Sequence, residues 1–148
     1  RDSKSIDHLL PFSPLIIWSK RSAKTGPRIQ KYNTYSERAS FVKESTLLVE
    51  QFTRDPVEVS NRLFELLCSM AKKSDIAYLT PEIEDICTIV RKCFGGAKPS
   101  GAGGGDCVVA FFRNKDHKEH CRVKLHRQNY QTIDYKISNG AHILLPEA

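Results

Sequence analysis

Between Gly96 and Cys107 the chain reads GAKPSGAGGGDC, a run that packs four of its eight glycines into Gly101–Gly105. Glycine reaches positive φ without the Cβ penalty, so consecutive glycines turn the chain sharply and aim several backbone N–H groups into one concavity suited to an anion. The apolar run that follows, Asp106–Phe112 (DCVVAFF), is too short and too apolar for anything but a core strand. A glycine turn between two strands therefore sits where most phosphate loops have a helix. Neither G-x-x-x-x-G-K-[ST] nor a strand-loop-helix G-x-G-x-x-G is present. Any anion held here is held by oriented amides, by Ser100 and by Lys98, not by a long helix dipole.

The remainder is organised around that hairpin. Pro14–Ser19 (PLIIWS) reads as a buried strand leading into a basic stretch, Ser19–Pro27, of hydroxyls and cations without apolar period, expected as exposed loop with a helix start at its end. Three helices follow. The first, Ser36–Thr53, turns Phe41, Val42, Leu48, Val49 and Phe52 inward. The second opens on Asp55-Pro56-Val57-Glu58, a capping box with proline at the first helical position, and buries Val59, Leu63, Leu66, Leu67 and Met70. The third is capped by Thr80, with Pro81, Glu82 and Glu84 in its first turn, Arg91 and Lys92 in its last and Gly95 just beyond; its inward face is Ile83, Ile86, Cys87, Val90 and Phe94.

After a strand around Ala97–Pro99, the hairpin and the apolar strand, a polar helix is expected over Lys115–Asn129. An alternating strand then carries Ile133, Tyr135 and Ile137, and an Asn139-Gly140 hairpin leads into Ala141–Leu145. This order predicts an α+β fold, a ferredoxin-like split βαβ sandwich with extra helices between its first two strands.

At 148 residues the chain fits one domain, with residues 14–148 as that domain and 1–13 as the tail of a preceding domain or a linker. A start at Arg1 without methionine reads as part of something longer. Five cysteines, an odd number without a C-x-x-C pair, read as reduced thiols of a cytoplasmic protein. No apolar run nears the roughly 20 residues of a membrane span. The net charge of +6 and the cluster Lys20, Arg21, Lys24, Arg28 and Lys31 ask for an anionic partner, whether phosphorylated metabolite, nucleotide or nucleic acid.

Other groups read more plainly. His117, His120 and Cys121 lack a second ligand group at metal-binding spacing and are expected as a solvated basic face. Asp106 is expected to hold local amides rather than act as a base. Tyr32, Tyr35, Tyr130 and Tyr135 are too evenly scattered for base stacking, and Trp18 is expected to pack against the helices.

The string Ala97-Lys98-Pro99-Ser100-Gly101-Ala102-Gly103-Gly104-Gly105-Asp106-Cys107 resembles the third conserved motif of the GHMP small-molecule kinases, and within them the version found in the phosphomevalonate kinase branch. A strand ending in Trp18-Ser19 and followed by Ser22-Ala23-Lys24-Thr25 resembles the family's substrate-touching segment. Lys24 and Arg28 stand where small, hydroxyl or apolar residues are usual. The resemblance implies the C-terminal domain of a two-domain, ATP- and Mg²⁺-dependent phosphotransferase. Its phosphate loop would be Lys98, Ser100, Gly101, Ala102, Gly103, Gly104, Gly105 and Asp106; Ser22, Lys24, Thr25 and Arg28 would face a phosphorylated small-molecule substrate. The catalytic lysine and aspartate, and the P-x-x-x-G-L-G-S-S loop for ATP, belong to the N-terminal domain of such enzymes and have no counterpart in this chain. The implied partners are ATP, the substrate and that domain, with neither nucleic acid nor membrane.

Overall fold

The computed structural model describes residues 14–24, 26–101 and 103–135. Its elements run β1 (Leu15–Trp18), α1 (Gly26–Asn33), α2 (Arg38–Gln51), α3 (Pro56–Lys73), α4 (Pro81–Lys92), β2 (Gly96–Pro99), β3 (Cys107–Phe111), α5 (Lys115–Arg127) and β4 (Gln131–Thr132). The four strands form one antiparallel-paired sheet in the order β2-β3-β1-β4. Because β3 pairs antiparallel with both β1 and β2, those two run parallel with β3 between them, which is the expected split βαβ arrangement.

Register explains the core. Leu15 lies opposite Ala110, Ile17 opposite Val108 and Ala97 opposite Ala110, so alternate residues of three strands share one face. All five are buried, together with Ile83, Ile86 and Val90 of α4, Cys121 and Leu125 of α5 and Phe64 of α3. A smaller cluster of Leu48, Val59 and Leu63 joins α2 to α3. Trp18 follows the same alternation to the opposite face and stays 41% exposed, correcting its expected packing against the helices.

β2 is an edge strand, and α3 protects it. The Ala97 amide donates to Asn61 Oδ1 at 3.4 Å, and Asn61 Nδ2 donates to the Gly95 carbonyl at 3.4 Å. α3 approaches so closely that a Cβ on Gly96 would lie 1.9 Å from the Val57 carbonyl oxygen.

Several local expectations are corrected. The basic stretch does end in a helix, α1, but none of its residues is buried. Of the five residues expected inward on α2 only Leu48 is buried; Val42 and Val49 are exposed, because α2 touches the body along a line rather than a broad face. Phe94 is 69% exposed. It follows the helix cap with φ +60, and that left-handed turn swings its ring outward onto His117, 5.0 Å between centroids. The alternating strand shrinks to Gln131–Thr132, leaving Ile133 exposed; Ile137 and the Asn139-Gly140 hairpin lie outside the described residues.

The α3 cap is half of the expected box. Asp55 Oδ1 accepts from the Glu58 amide at 3.1 Å, but the Asp55 amide already donates to the Gln51 carbonyl, so Glu58 has no donor to reach back to. Asp55 Oδ2 also accepts from Arg113, 2.6 Å. Partial burial opposes ionisation, yet the Glu58 amide and the Arg113 guanidinium outweigh it and hold the carboxyl below its ordinary value. A carboxylate depressed in the folded state stabilises the fold above its unfolded pKa of about 4, and that stability fades as pH falls through the lower folded value. Urea melts between pH 5 and 2 should therefore show Asp55→Asn, which keeps a cap acceptor, converging on the parent at acid pH. Asp55→Ala should cost about 1 kcal/mol at neutral pH. A constant gap between Asp55→Asn and the parent across that range would refute the charged role.

Candidate phosphate-binding site

The glycine hairpin connects β2 to β3 and is clamped from two sides. On one side, the Ser19 amide donates to the Asp106 carbonyl at 2.8 Å and the Asp106 amide to the Arg21 carbonyl at 2.6 Å. Asp106 Oδ1 accepts from the Ala23 amide at 3.3 Å, so this aspartate binds a backbone amide, as expected, but one from the distant segment after β1 and not from its own turn; φ is +57 there. On the other side, the Gly104 amide donates to the Tyr78 carbonyl at 2.6 Å, and a Cβ on Gly103 would lie 2.1 Å from the Tyr78 ring. Ser100 closes the base of the hairpin, its amide donating to the Cys107 carbonyl at 2.8 Å.

Those bonds leave a defined remainder. The Gly101, Gly103 and Gly105 amides donate to no described residue. Gly101, Gly103 and Gly104 have φ of +82, +69 and +73, left-handed backbone that glycine adopts without a Cβ penalty. Successive N–H groups in such a turn can make a concavity that takes an anion.

Two cations stand by without a counter-charge. Arg28 Nε donates to the Ala77 carbonyl at 3.2 Å and Nη1 to the Lys24 carbonyl at 2.5 Å, and a Cβ on Gly104 would meet Nη2 at 1.9 Å. Lys98 Nζ donates to the Pro99 carbonyl at 3.1 Å, and burial lowers its pKa below the ordinary lysine value. Among the described residues neither is paired with a carboxylate, whereas Arg21 is bound to Glu82 at 2.9 Å. Backbone carbonyls orient a guanidinium without neutralising it, so Arg28 keeps its full charge for an anion.

The structure places Ser22 and Arg28 against opposite sides of the hairpin, the backbone of Ser22 3.0 Å from a Cβ on Gly105 and Arg28 against Gly104, while Lys24 meets Arg28 through its carbonyl; Ser22 and Lys24 are exposed. Thr25 and Ala102 lie outside the described residues. Sequence reasoning missed Ala77 and Tyr78, whose carbonyls and ring support the loop; they follow α3 in an irregular stretch where no periodicity marks them. It also did not separate Arg21, which is neutralised by Glu82, from Arg28, which is not.

The remaining candidates have local partners. Of the three residues expected on a solvated face only His120 is exposed: His117 is half-buried against the Asn114 cap, and Cys121 is fully buried in the core. Among the described residues no group of three or more His, Cys, Asp and Glu could hold a metal ion. Tyr130 donates to Asp85 Oδ2 at 2.8 Å, and Tyr135 to the Pro14 carbonyl at 2.5 Å. All five cysteines are free. Burial pushes the Cys87 thiol up to about 12, which suits packing and not nucleophilic chemistry. No helix among the described residues is long and apolar enough to cross a membrane.

A four-stranded antiparallel sheet in split βαβ order, with helices α1–α4 between its first two strands and a glycine hairpin between β2 and β3, defines the α+β class of this domain. Residues 48–131 match the family model described as GHMP kinases C terminal, and the chain belongs to that family. Among solved structures, a Lin0012 protein from Listeria innocua aligns with a TM-score of 0.75 at 16% identity, covering 86% of this chain and 41% of that one. The Methanococcus jannaschii mevalonate kinase gives 0.73 at 23%, over 90% and 42%. The Streptococcus pneumoniae phosphomevalonate kinase, in complex with phosphomevalonate and AMPPNP, gives 0.66 at 20%, over 82% and 38%. The chain spans about two-fifths of these structures' length. No curated protein matches it.

Proposed function

We propose that this chain is the C-terminal domain of an ATP-dependent phosphotransferase that phosphorylates 5-phosphomevalonate to 5-diphosphomevalonate, working with an N-terminal domain that supplies the catalytic lysine and aspartate. The observation that carries the reading is the trio of unpaired amides at Gly101, Gly103 and Gly105 beside the uncompensated Arg28. An acceptor that already bears a phosphate brings one anion to another. Phosphoryl transfer depends on positioning and charge stabilisation more than on covalent help from the protein.

In the proposed step an acceptor phosphate oxygen attacks the γ-phosphorus of ATP, a new P–O bond forms, the β–γ bridging P–O bond breaks and ADP leaves. The hairpin amides and Ser100 would bind the reacting phosphates in a fixed orientation. Ser22, Lys24, Thr25 and Arg28 would hold the acceptor. The amide nest fits a polyphosphate. Among the described residues no three His, Cys, Asp or Glu side chains are grouped to hold a metal ion.

Mevalonate itself is the competing acceptor, favoured by the likeness to a mevalonate kinase. Steady-state kinetics of the intact protein with both acceptors separate the two. The proposal expects kcat/KM at least tenfold higher for the phosphorylated acceptor, with that preference reduced in Arg28→Gln. Ser100→Ala should lower kcat about tenfold or more. A preference for mevalonate would overturn the acceptor. Absence of ATP turnover with either, combined with steeply salt-dependent binding of an oligonucleotide, would replace the kinase by a nucleic-acid module.

A further inference from the structure

Beside the hairpin lies a cavity of about 160 Å³ between α1 and α3. Its walls are Ile29, Tyr32, Leu67, Met70, Ile76 and Tyr78, joined by Arg28 and Gly101. The space exists because α1 is tied down by polar bonds rather than by packing. Lys31 Nζ lies 2.6 Å from Asp75 Oδ2 and Arg28 Nε holds the Ala77 carbonyl, yet no residue of α1 is buried and Ile29 is 52% exposed. Ile29 and Tyr32 of α1 face Leu67 and Met70 of α3 across this space.

An apolar cavity opening beside a guanidinium and a free glycine amide matches one ligand chemistry, an oxyanion on a short hydrocarbon arm. We infer that this cavity takes the hydrocarbon arm of a phosphate ester whose phosphate is bound by Arg28 and the hairpin, the arm being about six heavy atoms, the size that fills an apolar cavity of this volume. The inference rests on the anion-binding reading of the hairpin. Phosphomevalonate carries a carboxylate and a hydroxyl for which these walls offer little, so the occupant is a second, more apolar phosphate ester.

The test is binding of methyl, propyl, butyl and hexyl phosphate, and of 1-hexanol, to the intact protein, followed by NMR or calorimetry. Affinity should rise about fourfold per methylene until the cavity is full. Ile29→Trp, at the exposed rim, should abolish that slope while methyl phosphate binds as before; Leu67→Trp should do so from inside. A flat series with methyl phosphate still bound would overturn the cavity as a ligand site and leave the hairpin reading standing. A slope that persists in Ile29→Trp would place the arm elsewhere and overturn the inference. Equal affinities for 1-hexanol and hexyl phosphate would overturn the coupling to Arg28. Failure to bind any phosphate would overturn the hairpin reading along with this one.

Discussion

If the proposed function holds, Gly103→Val should lower kcat/KM of the intact protein by about a hundredfold or more, because it displaces the hairpin proposed to orient the reacting phosphates. The residue has φ of +69, which costs a β-branched side chain on the order of 1–2 kcal/mol or more, and its Cβ would lie 2.1 Å from the Tyr78 ring. Tyr78 cannot yield, since it is 2% exposed and packed in the main core. The hairpin must therefore lift, stretching the 2.6 Å bond from the Gly104 amide to the Tyr78 carbonyl. Gly101→Ala is the control: φ is +82 there, but nothing lies within 4 Å of the added Cβ, so stability should fall by only about 1 kcal/mol. Steady-state kinetics and thermal melts on both variants decide the matter. Unchanged kinetics in Gly103→Val would refute a phosphate-positioning role for the loop.

The larger effect on folding is expected at Gly96, outside the hairpin. An alanine there places Cβ 1.9 Å from the Val57 carbonyl oxygen, a backbone atom in the first turn of α3 that no rotamer change can move. α3 and β2 would have to separate, breaking the Asn61 bridge that covers the sheet edge and loosening Phe64 from the core. Overpacking of this kind costs about 3 kcal/mol or more, a fall in melting temperature of roughly 6–12 °C for a chain of this length. A melting temperature within 2 °C of the parent would show that α3 can shift freely.

These two glycines show what can and cannot be read from a sequence. The helices with strong caps are legible because Asp55-Pro56 and Thr80-Pro81 carry their own start signals, and the observed side chains accept from Glu58 and Ile83 amides as such caps must. The split sheet is legible because Leu15, Ile17, Val108 and Ala110 lie in short apolar runs separated by turn residues. α1 is legible only as a helix start, since what holds it is Lys31–Asp75 and Arg28–Ala77, contacts across more than forty residues that leave no local period. The same holds within the site. The glycine string announces a nest, but which amides remain unpaired depends on Tyr78 and Arg21, and which arginine remains uncompensated depends on Glu82. Gly96 is one letter in a glycine-rich stretch until α3 is seen lying against it.

The bonds made by Asp106 have a mechanical consequence. Its carbonyl, amide and carboxylate each engage the segment Ser19–Ala23, so the end of β1 and the start of β3 are stitched together just below the nest. The hairpin is a fixed shelf and not a hinged flap: it cannot close on a ligand while the basic segment stays behind. Any approach of this wall toward reactants is a displacement of the whole sheet with its helices. Amide exchange at Ser19, Ala23 and Asp106 should accordingly slow or quicken in concert.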